Sequence, residues 1–243
     1  MAINIAPKHI QESLVSLYLR LNGYFTSGHI VHGTPQNLAI RERGETDVFA
    51  VRLPYSSEVE TENPSSEYLQ VKNGILDIVI GEVKSGREPI QFNDSIRDVE
   101  VMIRSLRWAG FTNKDDILKD VALKLTQQMV PQPINNPDNV IEVTIHPSDD
   151  IRYPTRVRPI IFHLGRQSPN RTQAWFVGHQ EIMNFIWRCL RKEFQPDDCQ
   201  REYDYGLWGP VIESIVEYFK NDDRDEPGTS DMLIRELLGD NDV

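Results

Sequence analysis

Apolar positions recur with helical spacing at the start of the chain. Ile10, Leu14, Leu17 and Leu21 fall at +4, +3 and +4, the stripe of a helix that buries one face. The pattern predicts a helix over residues 8–22, closed by Asn22-Gly23, because glycine readily takes the left-handed conformation that ends helices. Glu12 lies on a second line with Val15 and Leu19, so this acid shares a flank with apolar residues. The period then changes. His29–His32, Asp47–Leu53 (DVFAVRL) and Ile75–Val83 (ILDIVIGEV) are β-branched or apolar runs too short for helices, and they predict strands. Between the last two, Pro54–Lys72 carries Ser, Pro and four Glu and reads as an exposed hairpin extension or loop. Helical spacing returns at 94–109 (Ile96, Val99, Ile103, Leu106, closed by Gly110) and at 114–129 (Ile117, Val121, Leu125). Strands are predicted at 140–145, 159–164 and 174–178, and helices at 180–194, 207–220 and 230–238.

Helices interleaved with strands predict an α/β protein, a mixed central sheet flanked by helices. The expected division is a core over 1–130, a C-terminal α/β extension over 131–220 packed on the same sheet, and an acidic tail over 221–243. That tail holds eight acids against two bases and one short predicted helix, so its ends are expected to be solvated. The chain of 243 residues can bury a core without staples. Its two cysteines, Cys189 and Cys199, exclude a disulfide scaffold and a four-Cys zinc module. The absence of a signal-like start and of any run of about 18 apolar residues leads to the expectation of a cytoplasmic protein away from membranes. A net charge of −11 argues against a passive nucleic-acid coat, which would be basic overall.

The most informative local feature is Glu82-Val83-Lys84 at the end of the Ile75–Val83 run. In a strand, residues i and i+2 point to the same side, so Glu82 and Lys84 project together where a nearly all-apolar strand ends. An acid-x-Lys triplet arises about once by chance in this composition, so its surroundings decide its meaning. They include Asp47, which opens the run DVFAVRL two residues after Glu45. The plain alternative for Glu82 and Lys84 is an ion pair with no chemistry, and for Asp47 and Glu12 a turn acid and a half-buried helix acid.

Helix with Glu12, strand, strand with Asp47 (GETDVFAVR), strand with Glu82 and Lys84 (DIVIGEVKSG), helix: over residues 9–110 this order resembles the PD-(D/E)xK nuclease superfamily. Thr46 stands where that family has Pro, and helix 94–109 lacks the Gln carried by many of its repair and restriction members. The resemblance implies a restriction-endonuclease-like core. It also implies a catalytic set of Asp47, Glu82, Lys84 and Glu12, with Asp47 and Glu82 as ligands of Mg2+, for which Mn2+ can substitute. The implied activity is metal-dependent phosphodiester hydrolysis of nucleic acid, DNA ahead of RNA, in restriction, phage defence or repair. The alternative is an inactive nucleic-acid-binding or protein-interaction subunit on the same fold, and a homodimer or larger complex stays open. Mg2+ takes hard oxygen ligands and keeps several waters, so one or two carboxylates beside a phosphate suffice.

Charge segregation adds a candidate surface. Residues 151–180 hold Arg152, Arg156, Arg158, Arg166 and Arg171 and no acid. Arg156, Arg158, Arg166 and Arg171 are the expected contacts to a nucleic-acid backbone. The competing expectation is that these arginines pair with the protein's surplus acids.

Overall fold

The computed structural model describes residues 6–28, 30–32, 44–56, 65–86, 90–129, 141–148, 151–167, 175–191 and 204–239. Helix α1 (Pro7–Arg20) opens on a proline, whose fixed φ suits the first helical position. The spine Ile10, Leu14 and Leu17 is fully buried, and Gly23 (φ 80°) turns the chain out of the helix. The strands that follow are β1 (Phe25–Ser27), β2 (Ile30–His32), β3 (Gly44–Thr46), β4 (Val48–Arg52) and β5 (Leu76–Lys84). Two helices come next, α2 (Val99–Trp108) and α3 (Asp115–Gln128). Strands β6 (Val143–Ile145), β7 (Thr155–His163) and β8 (Phe176–Gly178) precede α4 (His179–Leu190), α5 (Pro210–Lys220) and α6 (Ser230–Leu238).

The fold is α/β, with a mixed six-stranded sheet flanked by helices. β1, β4 and β5 form an antiparallel meander. β7 lies parallel to β5 along all nine residues, from Leu76↔Thr155 to Lys84↔His163. The outer edge of β7 is shared by β6 at its start, antiparallel, and β8 at its end, parallel. β2 and β3 make a separate two-stranded ribbon. One sheet face packs on α1, α4, α5 and α6 through residues such as Leu14, Val79, Phe162, Ile186 and Phe219. The other packs on α2 and α3 through Ile78, Ile80, Met102, Leu125 and Ile161. Strands covered on both faces explain why β5 reads as a continuous apolar run.

Several elements differ from the sequence expectation. The helix expected from residue 94 starts at Val99, because the Asp98 side chain accepts a hydrogen bond from the Val101 N–H at 3.0 Å and caps it. The strand expected at 159–164 begins earlier, at Thr155, and includes two buried arginines. The helix expected over 207–220 is broken at Gly209 (φ 102°), leaving a short 3-10 turn at Tyr205–Trp208 before α5. In the acidic tail the predicted short helix is present as α6. It is seated on the core by buried Leu233 and Ile234, and the Ser230 hydroxyl donates to the Leu164 carbonyl at 2.7 Å. His29, Cys199 and residues 192–194 lie outside the described residues. Among the described residues no helix is long and apolar enough to cross a membrane.

Candidate active site

β4 runs antiparallel to β5 with Val48 opposite Gly81, so the residue before β4, Asp47, comes level with Glu82. Along β5, Val79 and Val83 face the α1 side, while Ile78 and Ile80 face the α2–α3 side. Alternation therefore carries Glu82 and Lys84 onto the line of Ile78 and Ile80, at the end of the sheet. Asp47 occupies the bend between β3 and β4. Its Oδ2 accepts the Val83 N–H at 2.9 Å, which ties the carboxylate to the backbone between Glu82 and Lys84.

The polar groups at this end form one connected set. Lys84 Nζ lies 2.6 Å from Glu82 Oε1 and donates to Asn93 Oδ1 at 2.6 Å. The Asn93 N–H returns to Glu82 Oε2 at 2.9 Å. Helix α1 supplies the other side: Lys8 Nζ is 3.5 Å from Glu12 Oε1 and 3.4 Å from Asp47 Oδ1. Thus Glu12, Asp47, Glu82 and Lys84, singled out from sequence, are linked through direct contacts and the Val83 backbone. All four are at most 9% exposed, whereas charges on a surface helix or strand end are ordinarily solvated. Burial pushes the Glu82 carboxyl above its usual range; Lys84 and the Asn93 N–H draw it back, and the Asp47 charge raises it further.

Lys8 and Asn93 were not among the residues expected from sequence. Lys8 had a legible signal, its i,i+4 spacing to Glu12. Asn93 had none, since it lies in the turn-rich stretch between β5 and α2.

Two further residues shape this end of the sheet. His163, opposite Lys84, is wholly buried and its Nδ1 accepts the Gly165 N–H at 3.1 Å. The turn after β7 presses on the segment after β5: a Cβ on Gly165 would lie 2.5 Å from the Gly86 carbonyl oxygen and 2.6 Å from its nitrogen. Only glycine fits so close a backbone approach. Arg166, next in the turn, is exposed, and so stands at the same sheet end as Lys84.

No family model, curated protein or solved structure matches this chain. The chemistry of the site is therefore read from its own residues. Three carboxylates and two ammonium groups meet here. Their oxygens are the hard donors that suit a divalent cation such as Mg2+. Among the described residues, however, no group of three or more His, Cys, Asp or Glu side chains is arranged to hold a metal ion. The donor chemistry fits, while the arrangement is an ion-paired one in which lysines neutralise the acids.

The arginine band requires a correction. Arg156 and Arg158 are 0% exposed and cannot reach a nucleic-acid backbone. Both point from β7 to the β5 carboxylate of Asp77. Arg156 Nη2 and Nε donate to Asp77 at 2.6 and 3.1 Å, and Arg158 Nη2 and Nε at 2.8 and 3.2 Å. The Tyr24 hydroxyl adds a bond to Asp77 Oδ2 at 2.6 Å. The reason is electrostatic: a guanidinium inside a core must be paired, and Asp77 supplies the charge. Of the four expected contacts Arg166 is on the surface, and Arg171 lies outside the described residues.

Proposed function

We propose that this protein is a divalent-cation-dependent nuclease that hydrolyses phosphodiester bonds, with DNA as the first substrate to test and Asp47, Glu82, Lys84 and Glu12 as its working residues. The observation that carries this reading is the convergence of Asp47, Glu82 and Lys84, joined through Lys8 to Glu12, at one buried sheet end. The element order adds support: a helix, a strand, the strand after Asp47, the strand bearing Glu82 and Lys84, and a helix follow one another, the order on which the resemblance to the PD-(D/E)xK superfamily rests.

In this reading Asp47 Oδ1 and Glu82 would hold the cation, because Asp47 Oδ2 is committed to the Val83 N–H. A Mg2+ or Mn2+ there would supply Lewis acidity and acidify water. Lys84 sets a positive charge beside the scissile phosphate, where negative charge grows in the transition state. Glu82 and Asn93 fix the position of its ammonium, so little reorganisation is needed as the reaction proceeds. Glu12 orients the acid cluster from α1. Arg166 grips a flanking phosphate from the turn after β7.

The test is incubation of the purified chain with DNA and RNA in MgCl2 or MnCl2. Cleavage should appear, stop with a chelator, and be abolished by Asp47→Asn. The substitution keeps an oxygen for the Val83 N–H, so the fold should survive by circular dichroism. Retained Mg2+-dependent cleavage by Asp47→Asn would sink the proposal. Binding without cleavage by the parent protein would instead favour the inactive-subunit alternative. Arg166→Ala should make the dependence of log K on log salt shallower by about 0.7–0.9, the loss of one phosphate contact.

A further inference from the structure

Glu181 is held by an arrangement that its own helix does not require. It lies in the first turn of α4, where a Glu ordinarily reaches back to the N–H at the start of the helix. Its Oε1 instead accepts the Ser66 hydroxyl at 2.6 Å, across 115 residues of sequence. Ser66 is itself fixed. Its Oγ accepts the Tyr18 hydroxyl at 2.6 Å, and its backbone N–H donates to Asn22 Oδ1 at 2.7 Å. Ser66, Tyr18 and Asn22 are all buried, so the carboxylate is positioned from the core. Glu181 lines a cavity of about 370 Å3 with Ser66, Glu67, Phe185, Arg188 and Cys189, a volume in the range of small-molecule sites. Beyond the Ser66 bond, Glu181 has no hydrogen bond or close ion pair among the described residues. Burial pushes its carboxyl above the ordinary value; Ser66 and the Arg188 charge draw it back, and the Glu67 charge raises it again. A partly buried acid with a single donor is under-compensated. The buried Phe185 ring and Cys189 give the same cavity an apolar wall. That wall suits an organic cation better than a metal ion, which takes several oxygen ligands.

We propose that this cavity is a binding site for a small primary amine with an apolar body, whose ammonium pairs with Glu181 while the body lies on Phe185. The ammonium supplies a charge-assisted bond to a carboxylate that Ser66 already holds in place, so little ordering is left to be done on binding. An aromatic face accepts cations and apolar groups alike. Two carboxylates on the wall, Glu67 and Glu181, select against anions. Glu12, Asp47, Glu82 and Lys84 do not line the cavity, so the inference stands without the nuclease reading.

The experiment is titration of the full chain with 2-phenylethylammonium and with its neutral isostere 2-phenylethanol, followed by amide chemical shifts in NMR. Each is taken to about 10 mM, enough for a ligand of this size to approach saturation. The amine should saturate and perturb residues 65–67 and 181–189 in the parent. The alcohol should bind about tenfold more weakly or worse, since it brings no charge to the carboxylate. Glu181→Gln keeps an oxygen for the Ser66 hydroxyl and should weaken the amine about tenfold, the loss of one charge-assisted bond. Unchanged amine affinity in folded Glu181→Gln overturns the proposal. Equal affinity for amine and alcohol makes the cavity a mere apolar hole and also overturns it, as does the absence of saturation in the parent. If Glu181→Gln does not fold, the parent's shifts decide: changes confined to 65–67 and 181–189 support the site, and changes elsewhere overturn it. Asp47→Asn should bind the amine as the parent does, whatever its cleavage shows. A loss of amine binding there places the ligand at the sheet end and overturns the assignment to Glu181.

Discussion

Replacing Asp77 by alanine removes five hydrogen bonds, two from Arg156, two from Arg158 and one from Tyr24. It also leaves two guanidiniums, each 0% exposed, without their shared carboxylate. Glu142 offsets little of this, as its Oε2 is 3.6 Å from Arg156 Nη1 and serves Arg156 alone. Removing one partner of a buried ion pair costs about 3–5 kcal/mol, and two stranded cations place Asp77→Ala at the upper end. For a chain of this size each kcal/mol lowers the melting temperature by about 2–4 °C, so the midpoint at pH 7 should fall by roughly 10–20 °C. The pH dependence has a definite sign. Burial alone would raise the Asp77 carboxyl, but Arg158 and Arg156 outweigh it and hold it below the ordinary value. A depressed acid contributes stability above its unfolded pKa, about 3.9, and that contribution is lost as pH falls through the folded value. The parent should therefore lose stability below about pH 4 more steeply than Asp77→Asn, which has no carboxyl to protonate there. A triple variant, Asp77→Leu with Arg156→Met and Arg158→Met, should recover much of the loss, since no charge is then left buried. Thermal unfolding by circular dichroism at pH 7 and pH 3 is the assay. A midpoint for Asp77→Ala within about 2 °C of the parent would refute the claim that these arginines depend on Asp77.

Under the proposed nuclease reading, Lys84→Ala should reduce turnover far more than Mg2+ affinity, because the ammonium would act on charge that develops only in the transition state. Equal loss of both in kinetics and calorimetry would make it a structural partner of Glu82. Gly165→Ala forces a Cβ against the Gly86 backbone and should cost about 1–3 kcal/mol, the usual range for overpacking. It should also slow cleavage by displacing the segment after Lys84, and unchanged melting and rate would show that the turn yields freely.

Local pattern carried much of the fold. The α1 spine was legible because its buried positions keep helical spacing over three turns, and β5 was legible because both its faces are covered. What stayed hidden depends on partners distant in the chain. The start of β7 reads as polar in sequence, TRVRP, because the Asp77 that neutralises it is 79 residues from Arg156. The true start of α2 was masked by Ile96, which is buried without being helical. At the site, strand alternation placed Glu82 with Lys84, while Asp47 and Glu12 entered through the resemblance and the register that brings Asp47 level with Glu82 was visible only in the structure. Asn93 escaped because a loop's return to a strand has no periodicity, whereas Lys8 had only its i,i+4 spacing to Glu12 to mark it.

The parallel pairing of β5 with β7 also has a consequence for synthesis. The cluster of Lys8, Glu12, Asp47, Glu82, Lys84 and Asn93 is made by position 93, yet the neighbour that completes β5 begins at Thr155. Roughly 70 residues must follow Lys84 before that strand exists, which takes a ribosome about 4–14 s at 5–20 residues per second. Through that interval the nascent chain presents one side of a long, apolar β5 with unpaired backbone groups, a template for pairing with other chains. Stalled or truncated products ending near residue 130 are therefore expected to aggregate, and the site's final shape must await the chain's second half.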